Sequence, residues 1–407
     1  MYHLSPEQEA RARQALEKES VYGAPVDFAA YVHDRQAPAG EDFDRLVRQE
    51  EETLTKAGFA VDERQRAASF LQVNHAVSRC RRQVEGVEVL PTREALAKYD
   101  GLPDYWWQAV PVDGDKYTAK VALEFDNGYF IRARSGVKAS LPVQTCMFME
   151  HQQVMQNVHN LIIVEEGAEL EIISGCATAS TTAAGLHLGV SEIYVGKNAR
   201  LTFTMIHNWG EEVVTRPRSA AWVEAGGVFI SNYICLKKVQ SLQMYPTARL
   251  RGPGATVRFN SIVAAPAGAS LDMGSRVILA HPGCKAEVIS RAVSFGGEII
   301  ARGHLVGEDP GVKAHLECHG LMLSDRGLIH AIPELEGRVA GVEMSHEAAV
   351  GKIAQEEVEY LMARGLDEEE ATSTIVRGFL NVEIAGLPAG LRRDLDELLA
   401  KSNAGGL

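Results

Sequence analysis

Between Leu161 and Asp325 the apolar and polar positions follow a short rhythm nested in a long one. Ala199-Arg200-Leu201-Thr202-Phe203-Thr204 and Ala255-Thr256-Val257-Arg258-Phe259-Asn260 alternate with period two, which predicts strands with one apolar and one polar face. The long rhythm is a repeat. LIIVEEGAELEII, SEIYVGKNARLTF, AAWVEAGGVFISN, ARLRGPGATVRFN, VILAHPGCKAEVI and GHLVGEDPGVKAHLE each place a tight Gly, Asn or Pro-Gly turn between two β-rich runs. Aligned on the residue after the turn (Ala168, Ala199, Gly227, Ala255, Cys284, Val312), the units recur about every 28–31 residues, a spacing that marks solenoids. Stacked units bury a continuous core that no single unit can bury. The predicted fold is mainly β, a right-handed parallel β-helix (solenoid) over residues 116–342, with helical regions at 1–115 and 343–407. A β-sandwich is the rival, since it also has strands at regular intervals; the long period favours the solenoid.

Outside the array the pattern changes. Ser5-Pro6-Glu7-Gln8 predicts a capped helix running to about Ser20. Further helices are predicted from Glu41 to Ala57 and from Asp62 to Arg82, the latter on Ala67, Phe70, Leu71 and Ala76. Val87–Leu90 reads as extended, Thr92–Lys98 as helical, and Tyr105-Trp106-Trp107 as a packing seam. Strands resume at about Tyr117 and the array runs to about Pro333. Period 3.6 then returns in Ala354–Arg364, in a helix opened by Asp367-Glu368-Glu369-Glu370, and in Ala389–Lys401.

Charge and composition remove several classes. The net charge of -13 argues against a nucleic-acid surface. No apolar run reaches the roughly 18 residues that span a bilayer, and no secretory signal is visible, so a cytoplasmic protein without membrane contact is expected. The six cysteines form no C-x-x-C pair, which excludes a ferredoxin-like permanent cluster. Gly351-Lys352 lacks the glycine spacing of a phosphate loop, so no nucleotide is expected on this chain. His346-Glu347 is followed by Ala-Ala-Val, not by the second histidine of a zinc protease, and no G-x-S-x-G elbow occurs.

Two places could carry chemistry. Cys318 sits between Glu317 and His319, and His346-Glu347 lies where the array is predicted to give way to helices. Thiolate, imidazole and carboxylate all suit iron or zinc. Cys318 and His346 are about one repeat apart, which predicts that they approach each other in adjacent turns. Cys176 follows Gly175 early in the array, and His187 lies just beyond it in Gly185-Leu186-His187-Leu188-Gly189. Each of these residues, alone, is more often structural than functional.

At these residues the sequence resembles the SufB/SufD family of iron–sulfur cluster assembly proteins. The matching stretches include SFLQVNHAV, DYWWQAVPVDGDKYTA, NLIIVEEGAELEIISGC, ECHGLMLSD and, above all, SHEAAVGKIAQEEVEYLMARGLDEEEATSTIVRGF. The resemblance implies a β-helix that dimerises through its end and docks a SufC-like ABC ATPase on its C-terminal helices, here through Val358, Leu361, Met362, Ile375 and Phe379. It matches Cys318 to the scaffold cysteine, His346 to the interface histidine and Glu347 to the neighbouring glutamate. It matches Cys176 to the cysteine linked to sulfur delivery, with His187 close by.

The function so implied is a non-enzymatic scaffold. It holds a transient Fe–S cluster at a dimer seam and passes it to apo-protein acceptors, supplied by a sulfur donor and powered by the partner ATPase. A SufB-type cysteine stands here beside a SufD-like Ser-His context, so both a homodimer and a SufB/SufD-like heterodimer fit. Two alternatives stay open: a structural solenoid that docks the ATPase without a cluster, and a β-helix enzyme acting on carbohydrate. The second requires clustered acids, whereas the acids of the repeat (Glu165, Glu166, Glu171, Glu192, Glu224) are scattered.

Overall fold

The computed structural model describes residues 4–33, 43–60, 62, 64 and 66–380. It is a parallel β-solenoid of about eight turns with helices at the termini. Each turn gives one strand to each of two sheets. The first sheet runs from Val143–Met149 through Glu169–Thr178, Arg200–Asn208, Val228–Cys235, Thr256–Pro266, Lys285–Phe295 and Lys313–Met322 to Glu343–Gly351. The second runs from Tyr129–Ala133 through Val154–Val164 and Ala184–Val195 to Ser270–Leu279, Glu298–Gly307 and Leu328–Gly337. Two of its turns are broken at Arg216-Pro217 and Tyr245-Pro246, where proline cannot donate to the ladder.

One corner sets the period. Gly167, Asn198, Gly226, Gly254, Gly283, Gly311 and Gly341 all hold positive φ, between 51° and 89°. That left-handed conformation penalises most side chains and admits glycine and asparagine. It turns the chain so that the next residue packs inward: Ala168, Ala199, Ala255, Cys284 and Val312 are at most 1% exposed. Inward positions of the two sheets form the main apolar core.

Gly341-Val342 is such a corner, and it corrects the predicted end of the array. The solenoid does not stop near Pro333 or at 342; Glu343–Gly351 pairs in parallel with Lys313–Met322. Ser345, His346 and Glu347 therefore lie in a strand, not at a transition to helix. The predicted helix Asp62–Arg82 is also wrong: Ala68–Val73 and Ala76–Arg82 form an antiparallel pair. Ala68–Val73 is buried on both faces, so it shows no strict apolar–polar alternation to set it apart from a helix. Strands do not resume at Tyr117. Asp115 accepts hydrogen bonds from the Tyr117 and Thr118 amides, both 3.0 Å, and caps the helix Lys116–Glu124.

The two ends of the solenoid differ. At the N-terminal end both sheets finish in antiparallel strands, Ala76–Arg82 on Ala68–Val73 and Val87–Pro91 on Tyr129–Ala133. At the C-terminal end no described strand stacks beyond Leu328–Gly337 or Glu343–Gly351. Leu328, Leu335, Val339 and Val350 are there 37–48% exposed.

Helices cover selected faces. The aromatic seam is observed: Trp106 stacks on His159 with ring centroids 3.7 Å apart. Beneath it the buried Glu192 accepts from the amides of Trp107 (2.6 Å) and Ala109 (2.7 Å) and faces His159 Nε2 at 2.9 Å. At the other terminus Glu368–Leu380 lays Val376 and Leu380 on Ile262, Val293 and Leu321, on the outer face of the first sheet. The helix predicted over Ala389–Lys401 lies outside the described residues. No helix among the described residues is long and apolar enough to cross a membrane.

Candidate functional site

Strand alternation decides where each candidate side chain goes. In Lys313–Met322 the residues Ala314, Leu316 and Cys318 are buried, while His315, Glu317 and His319 face outward and are half-buried. Cys318 is 2% exposed, within the core. Its thiol is pushed up to about 11, first by burial and then by the Glu317 carboxylate, against a smaller opposing pull from Arg291.

The next strand lies in register, with His346 opposite Leu316, Glu347 opposite Glu317 and Ala348 opposite Cys318. Cys318 and His346 are thus not stacked. Their separation of 28 residues matches the average repeat, but the local repeat is 30, from Gly311 to Gly341. His346 shares the core-facing side with Cys318, displaced by one strand and two residues, or about 8 Å between Cα atoms at standard strand spacings. His346 is exposed because nothing among the described residues stacks beyond it.

Glu347 lies on the opposite face. There it joins an outer network with His319 at its centre: Nδ1 is 3.4 Å from Glu317 Oε1 and Nε2 is 3.3 Å from Glu347 Oε1. Glu317 also pairs with Arg291, whose guanidinium lies 5.9 Å from the Phe379 ring centroid. One copy of the chain therefore brings Cys318 and His346 to a common face and keeps Glu347 from it. Among the described residues no three His, Cys, Asp or Glu side chains are grouped to hold a metal ion.

Cys176 and His187 sit far up the same array, on opposite sheets. Cys176 is 1% exposed, its Sγ 3.7 Å from Met205 Sδ. Burial, and next the neighbouring Cys146, hold its thiol well above the ordinary cysteine range. His187 Nδ1 is 2.9 Å from Gln156 Oε1, and burial pulls its pKa down to about 3. Sequence reasoning missed His207, Tyr233 and Cys235, which share this interior. Cys176, His207 and Cys235 are aligned on successive strands, and His207 Nδ1 is 2.8 Å from Tyr233 Oη. The corner supplies the missing signal, because each member of this column stands nine residues after its left-handed residue.

The C-terminal hairpin divides its predicted docking residues. Val358 is buried, and Phe379 leans on the β-face. Leu361 and Ile375 floor a notch edged by Glu356, Glu357 and Tyr360. Tyr360 and Met362 are 57% and 41% exposed.

A family model described as SUF system FeS cluster assembly, SufBD core domain, matches residues 147–379. An iron–sulfur cluster assembly SufBD family protein of Methanothermobacter thermautotrophicus is 47% identical over 403 residues, covering 97% of this chain and 98% of its own. One of Archaeoglobus fulgidus is 49% identical over 343 residues, covering 84% and 92%. The Bacillus subtilis iron–sulfur cluster assembly protein SufB is 29% identical over 323 residues, covering 78% and 69%.

Proposed function

The chain belongs to the SufBD family of iron–sulfur cluster assembly proteins, and from that we propose that it is the scaffold on which a SUF-type complex builds a nascent cluster. The cluster is cargo. Cys318 and His346 receive it at the C-terminal end of the solenoid, where two copies, or this chain and a second SufB/SufD-like chain, meet. A partner ABC-type ATPase docks on the C-terminal hairpin and drives opening. Sulfur enters through Cys176, and the finished cluster leaves for apo-proteins.

One observation carries this reading: a thiol and an imidazole share the core-facing side of the last two strands, at an end of the solenoid left open. A single copy offers two ligands there, and a two-fold axis through that end doubles the set. Burial raises the Cys318 thiol, so pairing must come with a rearrangement or a charge that favours the thiolate. Glu347, on the outer face, orients the strand through His319 instead of ligating.

Anaerobic reconstitution with iron and sulfide tests the proposal. Cys318→Ala should lose most bound iron, His346→Ala should lose part, and Glu347→Gln should lose little. Full iron loading in Cys318→Ala, with only the ~1–2 kcal/mol stability loss of a truncated core residue, would refute it. That result would leave Cys318 a structural core residue, in keeping with its deep burial; a wild-type chain that takes up no iron would favour the second reading, a docking platform without a cluster.

A further inference from the structure

Cys176, Met205 and His207 occupy core-facing positions of two adjacent parallel strands, Glu169–Thr178 and Arg200–Asn208. Cys176 is directly opposite His207 in the register, and Met205 stands two residues earlier on the same face. The Cys176 Sγ to Met205 Sδ distance is 3.7 Å. Met205 and His207 also wall a cavity between the two sheets, together with Tyr233 and Phe203. The Tyr233 hydroxyl, 2.8 Å from His207 Nδ1, fixes the ring and leaves Nε2 as its second nitrogen. We propose that Cys176, Met205 and His207 form a binding site for a soft monovalent metal ion of the Cu(I) type.

Three arguments select the ion. The donors are a thiol, a thioether and an imidazole, a soft set that suits Cu(I) and offers nothing to hard cations. Zinc in structural sites takes four ligands, and this cluster supplies three. Charge decides the rest. A monovalent ion that displaces the thiol proton leaves the buried site neutral, whereas a divalent ion would leave an uncompensated positive charge in the core. Binding is proton exchange without redox change: the S–H bond breaks, the Cu–S bond forms, and one proton leaves to solvent. Burial holds His207 near a pKa of about 3, so its imidazole is neutral and able to ligate.

The proposal goes beyond cluster assembly and rests on this geometry alone. It has a consequence for the assembly reading, because Cu(I) and incoming sulfur would compete for the same thiol.

The test is an anaerobic titration of the full chain with Cu(I) against a chromophoric Cu(I) chelator, in a Cys318→Ser background that removes the other candidate metal cysteine. One copper per chain and about one proton released per copper are expected, with both sulfur and nitrogen neighbours in copper X-ray absorption. Met205→Leu conserves volume and should stay folded; it and His207→Gln should each weaken binding by about tenfold or more. Cys235→Ala should not. Melting temperatures of the copper-free variants confirm that they are folded. Wild-type affinity in Met205→Leu, or copper surrounded by sulfur alone, overturns the site. Neither result bears on whether Cys318 takes a cluster.

Discussion

The histidines inside the solenoid make it sensitive to acid. His187 and His207 lie near Trp209, with ring centroids 5.1 and 5.6 Å from it, and burial is the main cause holding both near a pKa of about 3. In the unfolded chain the same imidazoles titrate near ~6.5. Between pH 6.5 and 3 the unfolded state therefore binds protons that the folded state refuses. Their neutral burial costs nothing above ~6.5, and stability falls as pH drops through that window, by up to ~1.4 kcal/mol per pH unit for each histidine. Urea midpoints measured at pH 7, 6 and 5 should shift downward, and His207→Gln should remove about half of the slope that the pair contributes. An unchanged slope would mean that the interior admits the imidazolium. At this scale the sequence was partly legible. Cys318, His346 and Cys176 stand out by residue type. Their mutual placement depends on counting from the nearest left-handed corner, and the average repeat misplaces His346 and Glu347 alike by two positions along the strand, leaving Glu347 on the outer face in either register.

Secondary-structure elements were legible where one face meets water. The repeat, the capped N-terminal helix and the first two C-terminal helices all have that character, and the structure has them. Ala68–Val73 was misread because both of its faces are covered, by the solenoid core and by the helix Phe43–Lys56. Glu343–Gly351 was misread because Ala348, Ala349 and Gly351 are poor strand formers, held extended by pairing with Lys313–Met322. The hairpin of Gln355–Met362 and Glu368–Leu380 separates buried from exposed side chains. Substituting Val358 or Phe379 would loosen the hairpin itself. Tyr360→Asp with Met362→Asp alters only exposed side chains. This double variant should abolish co-purification with the ATPase while its melting temperature stays within about 1–2 °C, since surface changes cost little. Retained co-purification would move the docking surface elsewhere.

For the whole molecule, the exposed apolar residues at the C-terminal end predict dimerisation there. Leu335→Lys with Val350→Lys should convert a dimer to a monomer in light scattering, with the β-core still folded. A wild-type chain that is monomeric both alone and with the ATPase would exclude the interface. The antiparallel strands at the opposite end bear on what kind of assembly can form. A rod of parallel strands exposes unpaired N–H and C=O groups at both ends, and head-to-tail addition of such rods has no natural stop. Here the N-terminal edge reverses direction and carries Arg79, Arg81 and Arg82 along Ala76–Arg82. Like charges of that kind discourage edge-to-edge growth. A molecule with one adhesive end and one blunt end would terminate itself at two subunits, the first hairpin of the array standing in the way of growth into fibres.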